Sequence, residues 1–177
     1  MIERLQQHAV ERALQRAPAV ILTGPRQVGK STLARRIAAG LGDRAVYLDL
    51  DADVDRRRLD DPTLFLDAQR GRLTVIDEIH RLPGLLQTLR VLIDARRRAG
   101  EGAGHFLLLG SASLDLLRQS GESLAGRAAY IELAPITPLE LPEDTGLETL
   151  WARGGFPDSL LAATDADSFA WRRDFVR

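Results

Sequence analysis

The 177-residue chain has no cysteine, no asparagine and only one lysine. The absence of cysteine excludes disulfides, cysteine nucleophiles and thiolate zinc sites. The three histidines, His8, His80 and His105, stand far apart without ligand spacing, so no structural zinc is expected. A net charge of −1 gives no global attraction for nucleic acid or for an anionic membrane. No run approaches the roughly 18 apolar residues that span a bilayer. Charges in MIERLQQHAVERALQRA interrupt every apolar core that a secretory signal would need. The expected location is therefore cytoplasmic. A hydrophobic content of 45% and a charged content of 28% describe a globular chain with one ordinary domain.

Lysine is nearly absent, which makes the surviving one informative. Arginine supplies 23 of the 24 basic residues, and the exception is Lys30, inside GPRQVGKS at 24–31. That string fits G-x-x-x-x-G-K-[ST]. Such a loop needs a compact charge on a flexible stem to curl over a phosphate chain, and a planar guanidinium has the wrong shape. The flanks fit as well: 19–23 is an apolar strand, and a helix is expected over 30–39. Gly24 and Gly29 let the backbone wrap a phosphate, and the helix N-terminus adds partial positive charge. The nucleotide cradle is thus Gly24, Pro25, Arg26, Gln27, Val28, Gly29, Lys30, Ser31 and Thr32, and for Arg26 and Gln27 no individual role is assigned. Lys30 would reach the β- and γ-phosphates, and Ser31 would ligate Mg²⁺.

Short apolar runs alternate with helical segments along the rest of the chain, which implies α/β units on a mostly parallel sheet. Further strands are expected at 45–49, 73–77, 106–110 and 129–133, and further helices at 62–69, 85–99 and 114–119. The N-terminal segment reads as an amphipathic helix with Ile2, Leu5, Ala9 and Ala13 on its apolar face and Val10 and Leu14 beside them. On the 85–99 helix, Leu85, Leu89, Leu92 and Ile93 form the apolar stripe. Arg96, Arg97 and Arg98 close it as a solvated basic last turn. The acidic stretch 49–61 reads as a solvated loop with a short helix. Proline and glycine punctuate the chain after Leu133, so residues 1–134 are expected as the core and 135–177 as a helical appendage. The helix at 168–177 leaves Phe175 and Val176 without an obvious partner.

The 73–77 strand ends in two acids. Asp77 fits the carboxylate that holds Mg²⁺, and Glu78 fits the base that polarises an attacking water. An adjacent glutamate suits transfer to water more than to a small acceptor. If the 106–110 strand lies between the two active strands, Ser111 would sit beside the γ-phosphate. Helix N-capping is an equal reading for it, and Ser113 is its alternative. Arg127, just before the last strand, is the candidate for stabilising charge on the transferring phosphoryl group, in cis or across a subunit interface, with Arg118 second. Action in trans would require a homo-oligomer.

These residues together resemble the prokaryotic AAA-like ATPases that pair an N-terminal P-loop domain with a C-terminal domain of unknown function. The resemblance rests on GPRQVGKST at 24–32, YLDLD at 47–51, DEIHRLP at 77–83, LLLGSAS at 107–113, ESLAGR at 122–127 and GGFP at 154–157. His80 stands where the family usually has Gln. The resemblance implies a five-stranded sheet in the order 5-1-4-3-2. It also implies that relatives continue into a second domain that this chain stops short of. The reading is Mg²⁺-dependent ATP hydrolysis, with ATP and Mg²⁺ as cofactors and a motor or switch as the use. One alternative is a regulatory nucleotide-binding module with little turnover, and a less favoured one is a small-molecule kinase. A guanine-specific site typically needs Asn-Lys-x-Asp, which a chain without asparagine lacks.

Overall fold

Five apolar runs form β1 (Ala19–Thr23), β2 (Ala45–Asp49), β3 (Leu73–Asp77), β4 (Phe106–Leu109) and β5 (Ala128–Glu132). They belong to a computed structural model that describes residues 2–111 and 120–176. The strands pair in the order β2-β3-β4-β1-β5. This is the expected order read from the other edge, and every pairing is parallel. Parallel neighbours cannot be joined by a tight hairpin, so the chain crosses over through helices. These are α2 (Lys30–Leu41), α3 (Asp53–Arg58), α4 (Pro62–Ala68) and α5 (Leu85–Arg98), with α1 (Gln6–Leu14) preceding β1. The expected helix at 114–119, with Ser113 and Arg118, lies outside the described residues.

The three central strands, β1, β3 and β4, are buried along their whole length, as a sheet covered on both faces requires. Their side chains alternate between two cores. Ile21, Ile76 and Leu108 pack toward α4 and α5 with Leu66, Leu89 and Ile93. Val20, Leu22, Val75, Leu107 and Leu109 pack toward α1 and α2 with Val10, Ala13, Leu33 and Ile37.

The N-terminal segment buries Ala13 of the expected stripe and Val10 beside it, but Leu5, just before α1, is 51% exposed, and the guanidinium-bearing Arg4 is buried. Arg96 is also buried and not solvated. It follows Ile93 by three residues and Leu92 by four, so it shares their face. Its Nη2 donates to the Leu66 carbonyl (2.7 Å), and its guanidinium lies 4.9 Å from the centre of the Phe106 ring.

After β5 come α6 (Leu147–Arg153), α7 (Pro157–Leu160) and α8 (Asp165–Phe175). The Ile136 N–H donates to the Gly155 carbonyl (2.7 Å), tying the start of this segment to the start of α7. The Thr164 side chain accepts from the Asp167 N–H (3.1 Å) and caps α8. Phe175 does find a partner within the chain: its ring lies 4.9 Å from both Phe156 and Trp171. Val176 remains exposed. No helix among the described residues is long and apolar enough to cross a membrane.

Candidate nucleotide-binding site

In an all-parallel sheet every strand ends on the same edge. The loop after β1 and the acids at the end of β3 therefore meet without any long-range coincidence. Gly24 opens the loop at φ +147°, and a Cβ there would stand 2.4 Å from the Leu133 carbonyl oxygen. No side chain fits that approach. Gly29 closes the loop at φ +100° as the N-cap of α2. Between them Val28 is fully buried in the α1/α2 core, whereas Arg26 and Gln27 are exposed. Arg26, Gln27, Lys30, Ser31 and Thr32 line a cleft of about 660 Å³. Lys30 is 7% exposed and curls back over its own loop, donating to the carbonyls of Gly24 (3.0 Å) and Pro25 (2.7 Å). Burial lowers its pKa, and the Glu78 and Asp77 charges pull in the opposite direction. Among the described residues its hydrogen bonds go to these two neutral carbonyls, which suits it to an incoming anion.

Asp77 is 3% exposed and firmly oriented. Its Oδ2 accepts from the Tyr47 hydroxyl (2.6 Å) and its Oδ1 from the Glu78 N–H (3.0 Å). Tyr47 arrives from β2, and Arg35 lies over its ring at 5.1 Å. Burial first, then the bond to Asp77, drives the phenol pKa far above the ordinary range, so Tyr47 stays a donor. Glu78 sits at φ +56°, ψ +46°. That left-handed conformation costs a non-glycine residue about 1–2 kcal/mol. The strain falls on the candidate base, which lines the cleft. His80 Nδ1 lies 3.1 Å from Glu78 Oε2.

Among the described residues no cluster of three or more His, Asp or Glu side chains is arranged to cage a metal. Ser31 and Asp77 offer one hydroxyl and one carboxylate. That is the partial set Mg²⁺ accepts when phosphate oxygens and water complete its octahedron. The residues present fit Mg²⁺ delivered with a nucleotide.

Ser111 follows β4, between β3 and β1, on the same edge as the loop. Arg127 does not join the site. It precedes β5, and strand beginnings lie on the far edge, about 17 Å of strand away. There its Nε and Nη2 donate to both oxygens of Asp94 on α5, at 2.8 and 2.9 Å. That hydrogen bonding holds the Asp94 carboxyl below the usual range. A role for Arg127 in its own chain's cleft is therefore corrected.

Two residues absent from the sequence reading matter here, Tyr47 and Arg4. Arg4 lines the cleft and is 7% exposed. Its Nη1 donates to the Val28 carbonyl (2.9 Å), Nη2 to the Ala134 carbonyl (2.5 Å) and Nε to Glu140 (3.1 Å). Glu140 also accepts from the N–H groups of Leu5 (2.9 Å) and Thr137 (3.0 Å). Burial alone would raise the Glu140 pKa, but these hydrogen bonds and the Arg4 charge outweigh it and leave it low. YLDLD at 47–51 already signalled Tyr47 as part of a motif, but nothing local signals Arg4.

Residues 16–141, well over half of the chain, match the family described as AAA domain, and the chain belongs to it. Membership makes it a nucleotide-binding module of the AAA ATPase class. Uncharacterised proteins of Mycobacterium tuberculosis and Mycobacterium bovis are each 43% identical over 99% of this chain. The chain spans 38% of their length. The fold is shared with the Walker-type ATPase of Pyrococcus abyssi, at a TM-score of 0.63 and 13% identity over 99% of this chain and 72% of that one. It is also shared with AMPPCP-bound DnaA from Aquifex aeolicus, at 0.56 and 15% identity over 97% of this chain and 65% of that one.

Proposed function

We propose that this AAA domain binds ATP with Mg²⁺ and hydrolyses it, serving in the cytoplasm as a motor or switch module. The observation that carries the reading is the convergence of Lys30, Ser31, Asp77 and Glu78 on one sheet edge. On binding, Lys30 leaves the Gly24 and Pro25 carbonyls for the β- and γ-phosphates, while the N–H groups of the loop and of the start of α2 cradle the chain of phosphates. Ser31 and Asp77 would hold Mg²⁺, which would supply positive charge to offset that of the phosphates. Tyr47 keeps Asp77 aimed. Glu78 polarises a water and accepts its proton as the water oxygen bonds to the γ-phosphorus. The bond from that phosphorus to the β–γ bridging oxygen breaks, leaving ADP and inorganic phosphate. Ser111 hydrogen-bonds the attacking water. In this reading residues 1–134 are the ATPase core, and 135–177 form a helical appendage to it.

The test is steady-state ATP turnover with Mg²⁺ for wild type, Lys30→Ala and Glu78→Gln. Hydrolysis lost in both variants supports the reading. Turnover unchanged in either contradicts it.

One observation favours a second reading, in which the chain binds nucleotide but turns over slowly alone. Arg127 is engaged with Asp94 on the far edge, so only a second copy could bring it to a cleft. Turnover per chain that rises with protein concentration, and loses that rise in Arg127→Ala, supports a homo-oligomer with the arginine acting in trans. Low turnover independent of concentration supports the regulatory module.

A further inference from the structure

Arg4 is a buried cation that the chemistry above does not use, yet it grips the phosphate loop. Its three donors reach three segments: the Val28 carbonyl in the loop, the Ala134 carbonyl just after β5, and the Glu140 carboxylate. Glu140 is itself locked by the Leu5 and Thr137 N–H groups, so the guanidinium has little freedom to turn. A planar fork is the side chain that can satisfy three acceptors in different directions at once.

The consequence lies in the peptide that Arg4 holds. The Val28 carbonyl and the Gly29 N–H belong to one planar, trans amide, in which the two bonds point in opposite directions. Gly29, at φ +100°, is the residue about which that amide would most easily rotate. Arg4 takes the carbonyl of this unit, and so aims the Gly29 N–H away from itself and into the loop. A charge-assisted bond to the carbonyl also polarises the amide and strengthens its N–H as a donor. We infer that Arg4 is a positioning residue of the nucleotide site: it fixes the Val28–Gly29 peptide so that the Gly29 N–H faces the phosphates, and Glu140 fixes Arg4. The inference rests on the ATP-binding reading above and adds a residue at the N-terminus to its machinery.

Removing Arg4 alone would strand a buried carboxylate, so the test removes the pair. ATP binding with Mg²⁺ is measured by calorimetry for wild type, Arg4→Met/Glu140→Gln and Arg4→Lys, with the urea midpoint and the Gly29 amide proton shift followed in each. Wild type is measured first, and if it does not bind ATP, the underlying reading fails before Arg4 is tested. Given wild-type binding, the double variant is expected to fold with a lowered urea midpoint, because the Val28 and Ala134 carbonyls lose their donor, and to bind about tenfold more weakly, as loss of one charge-adjacent hydrogen bond implies. Wild type is expected to show a downfield shift of the Gly29 amide proton on binding, and the double variant to lose it. Lysine can pair with Glu140 but cannot span both carbonyls, so Arg4→Lys should fold and also bind several-fold more weakly. It carries the test if the double variant does not fold. A folded variant of either kind with wild-type affinity and a wild-type Gly29 shift overturns the inference.

Discussion

Gly24→Ala isolates what the loop geometry demands. The new Cβ would stand 2.4 Å from the Leu133 carbonyl oxygen and 3.3 Å from both the Leu133 carbonyl carbon and Val28 Cγ1. That oxygen is backbone, and its residue is pinned by the Leu133 N–H to Thr23 carbonyl bond at 2.8 Å, so the strain cannot be relieved by a side-chain flip. Overpacking against a fixed neighbour costs about 1–3 kcal/mol. An L-residue at φ +147° adds roughly 1–3 kcal/mol of backbone strain. Together the loss is about 4 kcal/mol, a large part of the stability of an ordinary domain. Gly126→Ala is the control. It has φ +68°, and no atom of the described residues lies within 4 Å of the added Cβ, so it is expected to meet only the left-handed penalty, about 1–2 kcal/mol. Urea unfolding followed by circular dichroism measures both. Equal losses in the two variants would refute the claim that the Leu133 carbonyl walls the loop at Gly24.

Two further expectations follow from the site's supports. Tyr47→Phe removes the hydroxyl that holds Asp77 and leaves the ring under Arg35. ATP binding without Mg²⁺ should be unchanged, while the Mg²⁺ concentration for half-maximal turnover rises several-fold; an unchanged Mg²⁺ dependence argues against the orienting role. Glu140 has its pKa depressed in the folded chain. Its stabilisation is therefore complete above its unfolded value near 4.5 and is lost as pH falls through the lower folded value. Below pH 4.5 wild type should lose stability more steeply than Glu140→Gln in urea titrations, and parallel curves would sink the assignment.

Local patterns carried much of the fold into view. Five apolar runs became five strands to within a residue at either end, and GPRQVGKS between a strand and a helix located the loop. The order of the strands was different in kind, since it came from family resemblance and not from spacing. Arg96 was legible and misread: its distance from Leu92 and Ile93 put it on the apolar face, but its membership of an arginine run suggested solvent. For Arg127 the direction of the strand decides: a residue that precedes a parallel strand lies on the edge opposite its own chain's site, which leaves action in trans as its open role. Arg4 was not legible at all. Its partners Val28, Ala134 and Glu140 lie 24, 130 and 136 residues away, and only the folded sheet brings them together.

The most direct test of the central claim is equilibrium ATP binding alongside single-turnover hydrolysis in Glu78→Gln. The change removes the proposed base and leaves Lys30, Ser31, Asp77 and the loop in place. The account predicts ATP affinity within a few-fold of wild type, with hydrolysis slowed at least about a hundredfold, the lower range for loss of a general base. Hydrolysis at the wild-type rate would contradict the assignment of Glu78, and loss of ATP binding in wild type itself would contradict the site.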